Sequence, residues 1–135
     1  MQYYFLIAFF LLSCNQGAMK EEINKTNTCD CKSLQYHPNY NVFHLGDPLS
    51  PFSGTCKEYY LGGKLKKTAE LLNGKYEGKL LYYYENGQLQ SDIAYELGLM
   101  SGDKKVFEPD GKLLFHGIYK RSKLIETIYH YKQVK

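Results

Sequence analysis

Four cysteines and four histidines carry the most reactive side chains of this 135-residue chain, and their spacing decides which chemistry is open to it. Cys29-Asp30-Cys31 is a C-x-C with no second pair, whereas structural zinc wants four ligands with C-x2-C type spacing. His37, His44, His116 and His130 show no metal-ligand spacing. No Ser-His-Asp or Cys-His set is signalled either, because such sets are defined by geometry. Gly63-Lys64 and Gly111-Lys112 share two residues with a phosphate-binding loop but lack the rest of G-x4-G-K-[ST]. The expectation is a chain that is not an enzyme, with no metal, no cofactor and no catalytic residue. A hydrolase is the remotest alternative.

Cys14 is set apart from the other three cysteines by what precedes it. Tyr3 to Leu12, YYFLIAFFLL, is an uncharged apolar run, too short to span a bilayer at about 20 residues and of the right length for the h-region of a signal peptide. Leu11-Leu12-Ser13-Cys14 resembles the bacterial lipobox, which implies cleavage after Ser13 and lipid on Cys14, although Met1-Gln2 brings no Lys or Arg to the n-region. Residues 1–13 are thus expected to be a lipoprotein signal peptide. Residues 14–28, nearly free of aliphatic side chains, are expected to be a disordered tether from lipidated Cys14. Lys20-Glu21-Glu22 within it resembles an acidic signal for surface display in some Bacteroidetes lipoproteins. The implied location is the cell envelope, on the periplasmic side of a membrane or at the cell surface, held to the membrane by the lipid.

With Cys14 on lipid, Cys29, Cys31 and Cys56 are an odd number in a compartment that permits disulfides. A bridge from Cys29 or Cys31 to Cys56 would staple an irregular N-terminal cap, residues 29–53, to the segment that begins at Gly54. It would close a loop of about 25 residues, worth up to roughly 3 kcal/mol. The alternative is three free thiols.

Composition narrows the scaffold. Fourteen tyrosines, twelve glycines and no tryptophan suit strands and tight turns better than helices. The net charge of +3 comes from interspersed signs, and the longest basic runs are pairs such as Lys66-Lys67 and Lys104-Lys105. No clustered basic stripe is present to hold nucleic acid.

The positioning elements are repeats. Gly54, Gly78 and Gly102 are 24 apart, as are Gly63, Gly87 and Gly111, and the same period joins Tyr59, Tyr83 and Phe107 and joins Leu65, Leu89 and Leu113. Leu71, Tyr95 and Tyr119 share it too. Residues 54–135 divide into units 54–77, 78–101 and 102–125 and a closing strand 126–135. Each unit reads as a β-hairpin, because an apolar-alternating run meets a turn and a second run comes after it. The expected fold is all-β, an elongated single-layer antiparallel β-meander of 24-residue hairpin repeats.

The turns choose the register. In Glu108-Pro109-Asp110-Gly111, Pro109 suits the first corner of a type I turn and Gly111 the left-handed bulge position. A three-residue loop then pairs Glu108 with Lys112 and Phe107 with Leu113. By the same rule Tyr83 pairs with Leu89, Tyr59 with Leu65 and Glu58 with Lys66. Strict alternation from those pairs assigns Tyr59, Leu65, Leu71, Tyr83, Leu89, Ile93, Tyr95, Phe107, Leu113, Phe115 and Tyr119 to one apolar face. The opposite, mixed face carries Tyr60, Tyr82 and Tyr84, bordered by Lys66, Gln90 and Asp92. Rigid amphipathic tyrosines in a polar surround mark interface centres, so these six are the candidate partner-binding residues.

The pattern G-x-x-x-x-Y/F-Y-x-N/D-G-K/Q-L, matched best by Tyr83-Tyr84-Glu85-Asn86-Gly87-Gln88-Leu89, resembles the MORN-repeat variant found in proteins labelled YwqK-family antitoxins. Unit one departs from it with Gly62-Gly63 for Asn-Gly, and unit three with Glu108 at the second aromatic position. The resemblance implies an extended β-meander that binds proteins or membranes. Two functions stand as expectations. One is a lipid-anchored, non-catalytic module for binding an unknown protein, a toxin or an envelope component, in an antitoxin or immunity role. The other is an envelope-surface scaffold touching anionic lipid through Lys64, Lys66, Lys67, Lys104, Lys105 and Lys112.

Overall fold

The computed structural model describes residues 27–131. The expected signal peptide, the Cys14 anchor, residues 14–26 of the expected tether and residues 132–135 of the expected closing strand lie outside the described residues. The fold is all-β. Strands β1 (Thr28–Asp30), β2 (Gln35–His37) and β3 (Val42–His44) precede seven longer ones: β4 (Gly54–Tyr59), β5 (Leu65–Leu72), β6 (Lys75–Tyr83), β7 (Leu89–Glu96), β8 (Leu99–Phe107), β9 (Leu113–Lys120) and β10 (Lys123–His130). An open eight-stranded sheet runs in the order β1-β4-β5-β6-β7-β8-β9-β10, and β2 and β3 form a separate hairpin. From β4 to β10 every neighbour is antiparallel and consecutive in sequence, a β-meander. The closing strand starts at Lys123, three residues ahead of the expected boundary.

The recurring turn is as its residues dictate. The Glu108 N–H donates to the Lys112 carbonyl at 2.8 Å and the Gly111 N–H to the Glu108 carbonyl at 2.9 Å, with Gly111 at φ 88°. Tyr60 with Lys64 and Tyr84 with Gln88 repeat that geometry, and Tyr59↔Leu65, Tyr83↔Leu89 and Phe107↔Leu113 are direct partners. The return turns are tighter. Asn73-Gly74, Leu97-Gly98 and Arg121-Ser122 all have positive φ at both residues, the signature of a two-residue turn matched to strand twist.

The single apolar face is corrected by a second irregularity. Just past each turn pair, the ladder skips one residue: Glu58 pairs with Lys67, Tyr82 with Ser91 and Val106 with Phe115. Lys66, Gln90 and Leu114 are therefore one-residue bulges, spaced at the repeat period. A bulge reverses the side on which the rest of the strand projects. Leu71, Ile93, Tyr95, Phe115 and Tyr119 consequently share one face, here called inner. The pairs Tyr59/Leu65, Tyr83/Leu89 and Phe107/Leu113 lie on the other, outer face, and Tyr59 is 50% exposed.

The core sits on the inner face at the N-terminal end of the meander. Cys56, Ala69, Leu71, Leu80 and Ile93 pack there with Phe52 from the preceding segment. Residues 29–53 are more ordered than the expected irregular cap. β1, which begins at Thr28 inside the expected tether, adds parallel to β4, and Asp30 caps a 3₁₀ turn at Cys31–Ser33 by accepting from the Lys32 N–H at 2.9 Å. The Phe43 N–H donates to the Gly74 carbonyl at 2.7 Å and the Gly74 N–H to the Phe52 carbonyl at 2.8 Å, which fixes the segment on the sheet. Rings of Tyr36, Phe43, Tyr76 and Tyr95 succeed one another at 5.2–5.3 Å between centroids. Burial pushes the Tyr76 and Tyr95 hydroxyls above their ordinary pKa.

Candidate functional site

The six candidate residues do not share one surface. Tyr82 is on the inner face, packed against the core cluster with the Lys67 ammonium 5.8 Å from its ring centroid. Asp92 is on the outer face, where the Lys79 Nζ reaches its Oδ1 at 2.7 Å. Lys66 and Gln90 occupy the bulges. Lys66 Nζ nonetheless meets Glu58 Oε1 at 2.8 Å, although the ladder sets Glu58 opposite Lys67. That hydrogen bond holds the Glu58 carboxyl below, and the Lys66 ammonium above, their ordinary pKa values.

Tyr60 and Tyr84 do the same job one repeat apart. The Tyr60 hydroxyl donates to the Tyr83 carbonyl at 2.7 Å and the Tyr84 hydroxyl to the Phe107 carbonyl at 2.8 Å. Each links its own turn to the next hairpin. Asn86 Nδ2 adds a bond to the Pro109 carbonyl at 2.7 Å along the same rim. Three of the tyrosine positions read from the sequence thus sit in the fabric of the sheet.

Residues 52–73 and 76–96 match the family model of the MORN repeat variant. Over these two segments the chain is similar to MORN-variant repeats. The two matched segments hold β4–β5 and β6–β7. Hairpin β8–β9 lies beyond them yet has the same turn, the same bulge position and the same aromatic–leucine pair as the MORN-variant hairpins before it. Comparisons with curated proteins and with solved structures return no match.

MORN-variant repeats suggest a non-catalytic module. Among the described residues no group of three or more His, Cys, Asp or Glu side chains comes together to hold a metal ion. His116 Nε2 lies 2.5 Å from Asp103 Oδ1 on the outer face, and that hydrogen bond lowers the Asp103 pKa. His37 and His44 face each other in the N-terminal segment with ring centroids 6.2 Å apart. The sulfurs converge elsewhere. Cys31 is bonded to Cys56, and Cys29 is a free thiol.

The sheet is most exposed at its C-terminal end. The N-terminal segment covers the inner face over β4 to β7, whereas over β8 to β10 the same face forms a hollow lined by Lys104, Val106, Phe115, Tyr119, His130 and Tyr131. Strand β10 is exposed along its whole length, with Leu124, Ile125, Ile128 and Tyr129 all at the surface. Among the described residues, no strand pairs with its outer edge. The amphipathic pattern of KLIETIYH gives no warning, because two further bulges, at Ile125 and Ile128, break its alternation. Lys112 Nζ sits 3.7 Å from the Tyr131 ring centroid beside this hollow.

Proposed function

We propose that the chain is a lipid-anchored envelope protein whose MORN-variant sheet binds a partner protein, with the partner seated on the bare inner face of β8–β10 and the edge of β10. The observation that carries this reading is the half-covered sheet. The face that buries Leu71, Leu80 and Ile93 under Phe52 at one end stays open beside Phe115 and Tyr119 at the other. Contiguous apolar surface of this kind, rimmed by Lys104 and Lys112, suits a protein interface. A free strand edge beside it offers backbone hydrogen bonds to an extended segment. Tyr60 and Tyr84 support this surface from a distance, since their hydroxyls tie the hairpins together. An antitoxin or immunity role is one form that the binding would take, with a toxin as the partner.

The lipid-scaffold reading draws less support from the geometry. Lys104 and Lys105 project to opposite faces, and Lys66, Lys67, Lys104 and Lys112 each lie against a tyrosine ring. A flat membrane would meet only some of these lysines at once. The anchor rests on the residues before Cys14, and labelling with a palmitate analogue tests it: wild type is marked and Cys14→Ala is not. Pull-down from envelope extract tests the surface. The partner should remain bound near 0.5 M salt, where the Debye length falls to about 4 Å, and should be lost in the double variant Ile125→Lys/Ile128→Lys. Retention in that variant together with loss in salt would overturn the reading in favour of anionic lipid.

A further inference from the structure

We propose that Cys29, Cys31 and Cys56 form a thiol–disulfide exchange site, in which the bridge to Cys56 passes between Cys31 and Cys29. Three observations place the sulfurs together. Cys56 is 1% exposed in the core and bonded to Cys31, with the two Cα atoms 4.8 Å apart. Cys29 is the direct Cα partner of Cys56 in the parallel β1–β4 ladder. Cys29 and Cys31 both pack against the cluster that contains Cys56.

Neighbouring strands lie about 4.8 Å apart, so the Cys29–Cys56 pair meets the Cα window of about 4.4–6.8 Å for a disulfide. Residues paired in a ladder project to the same side of the sheet, and Cys31, in the 3₁₀ turn directly after β1, is already bonded to Cys56. Both cysteines of the C-x-C therefore address one sulfur. In the step itself, the Cys29 thiolate attacks Cys56 Sγ, a Cys29–Cys56 bond forms and the Cys31–Cys56 bond breaks. Cys31 leaves as thiolate and takes up the proton that Cys29 gave to solvent. One disulfide and one thiol stand on each side, so no oxidant or reductant is consumed.

The two bridges hold different things. A bond at Cys31 ties the first residue of the 3₁₀ turn, and with it the approach to Leu34, down to the core. A bond at Cys29 ties β1 instead and presents Cys31 as the free thiol. Burial pushes the Cys29 thiol above its ordinary pKa and the Asp30 carboxylate adds to this, which keeps the attacking thiolate scarce at neutral pH and makes the exchange a slow one.

The test uses the full chain, incubated at pH 8.5, quenched with acid, alkylated and mapped by tandem mass spectrometry, with Cys14 read on its own peptide. The expected result is label on Cys29 at first and a growing fraction on Cys31, at a rate independent of protein concentration. In Cys31→Ser, glutathione disulfide should close Cys29 onto Cys56 and leave neither alkylatable. Label confined to Cys29 in the wild type up to equilibrium would overturn the proposal. So would a rate proportional to protein concentration, or an alkylatable Cys56 in folded Cys31→Ser. None of these readouts depends on the partner surface.

Discussion

The hydroxyl of Tyr60 donates to the backbone carbonyl of Tyr83, 23 residues further on, at 2.7 Å. Tyr84 and Phe107 repeat the relationship at 2.8 Å, so the second aromatic of the MORN-variant motif is a cross-hairpin tie. Tyr60→Phe and Tyr84→Phe keep the ring and remove only the donor. Each should lower stability by about 0.5–1.5 kcal/mol, the usual net value of one hydrogen bond, read from urea midpoints at constant slope. At Glu108 the motif breaks, and a carboxylate cannot make the equivalent bond to the Tyr131 carbonyl. Glu108→Phe should therefore cost less than either tyrosine change.

The bulges at Lys66, Gln90 and Leu114 predict where truncation hurts. Leu71→Ala and Leu80→Ala remove fully or nearly buried side chains and should each cost about 2–5 kcal/mol. Tyr59→Ala, on the outer face and 50% exposed, should cost under about 1 kcal/mol. Equal costs at Leu71 and Tyr59 would restore the unbulged register. Tyr83→Ala and Leu89→Ala should still couple in a double-mutant cycle, because they remain direct partners.

This contrast also marks what is legible in the sequence. Turn chemistry is local: Pro109, Gly63, Gly87 and Gly111 announce both the loop length and the first cross-strand pair, and those pairs stand in the structure. The bulge is not local. A lysine, a glutamine and a leucine occupy it, so no residue type signals the skipped position, and strict alternation puts every side chain beyond it on the wrong face. Phe52 and Val42 are hidden for a related reason, since nothing in residues 29–53 shows by period that the segment lies across the sheet. The glycines at 78 and 102 do carry information, as left-handed positions inside β6 and β8 where the ladder to the preceding strand shifts register.

Gly78 tests that last point. Its φ is +91°, and a Cβ there would collide with Glu70 Oε2, the atom that accepts from the Lys79 N–H. Gly78→Ala should cost about 1–2 kcal/mol for the left-handed backbone, plus whatever is lost when Glu70 swings away. Adding Glu70→Ala removes the collision and leaves the backbone cost, so the double variant should remain destabilised in thermal unfolding. Full recovery would mean that the collision alone mattered.

Alkaline stability should track Tyr76 and Tyr95. Burial raises both folded-state pKa values above the unfolded value of about 10. A group raised in this way contributes stability that is fully present below the unfolded pKa and is lost as pH rises through the folded one. Unfolding free energy should thus fall above about pH 10, and absorbance at 295 nm should show two tyrosines ionising late. Tyr76→Phe should flatten the alkaline slope.

Two double variants separate the fold from the proposed interface. Tyr82 packs on the core and Tyr84 donates to Phe107, so Tyr82→Ser/Tyr84→Ser should lose stability before anything can be said of binding. Ile125 and Ile128 are 59% and 53% exposed at the bulges of β10, where lysine meets water without displacing a packed neighbour. Ile125→Lys/Ile128→Lys should therefore unfold within about 0.5 kcal/mol per site of the wild type while abolishing capture of the envelope partner. The charge matters as much as the lost methyls, because lysine on an edge strand blocks the approach of another strand. If this variant still captures the partner and Tyr82→Ser/Tyr84→Ser, folded at low temperature, does not, the interface belongs to the tyrosine rim after all.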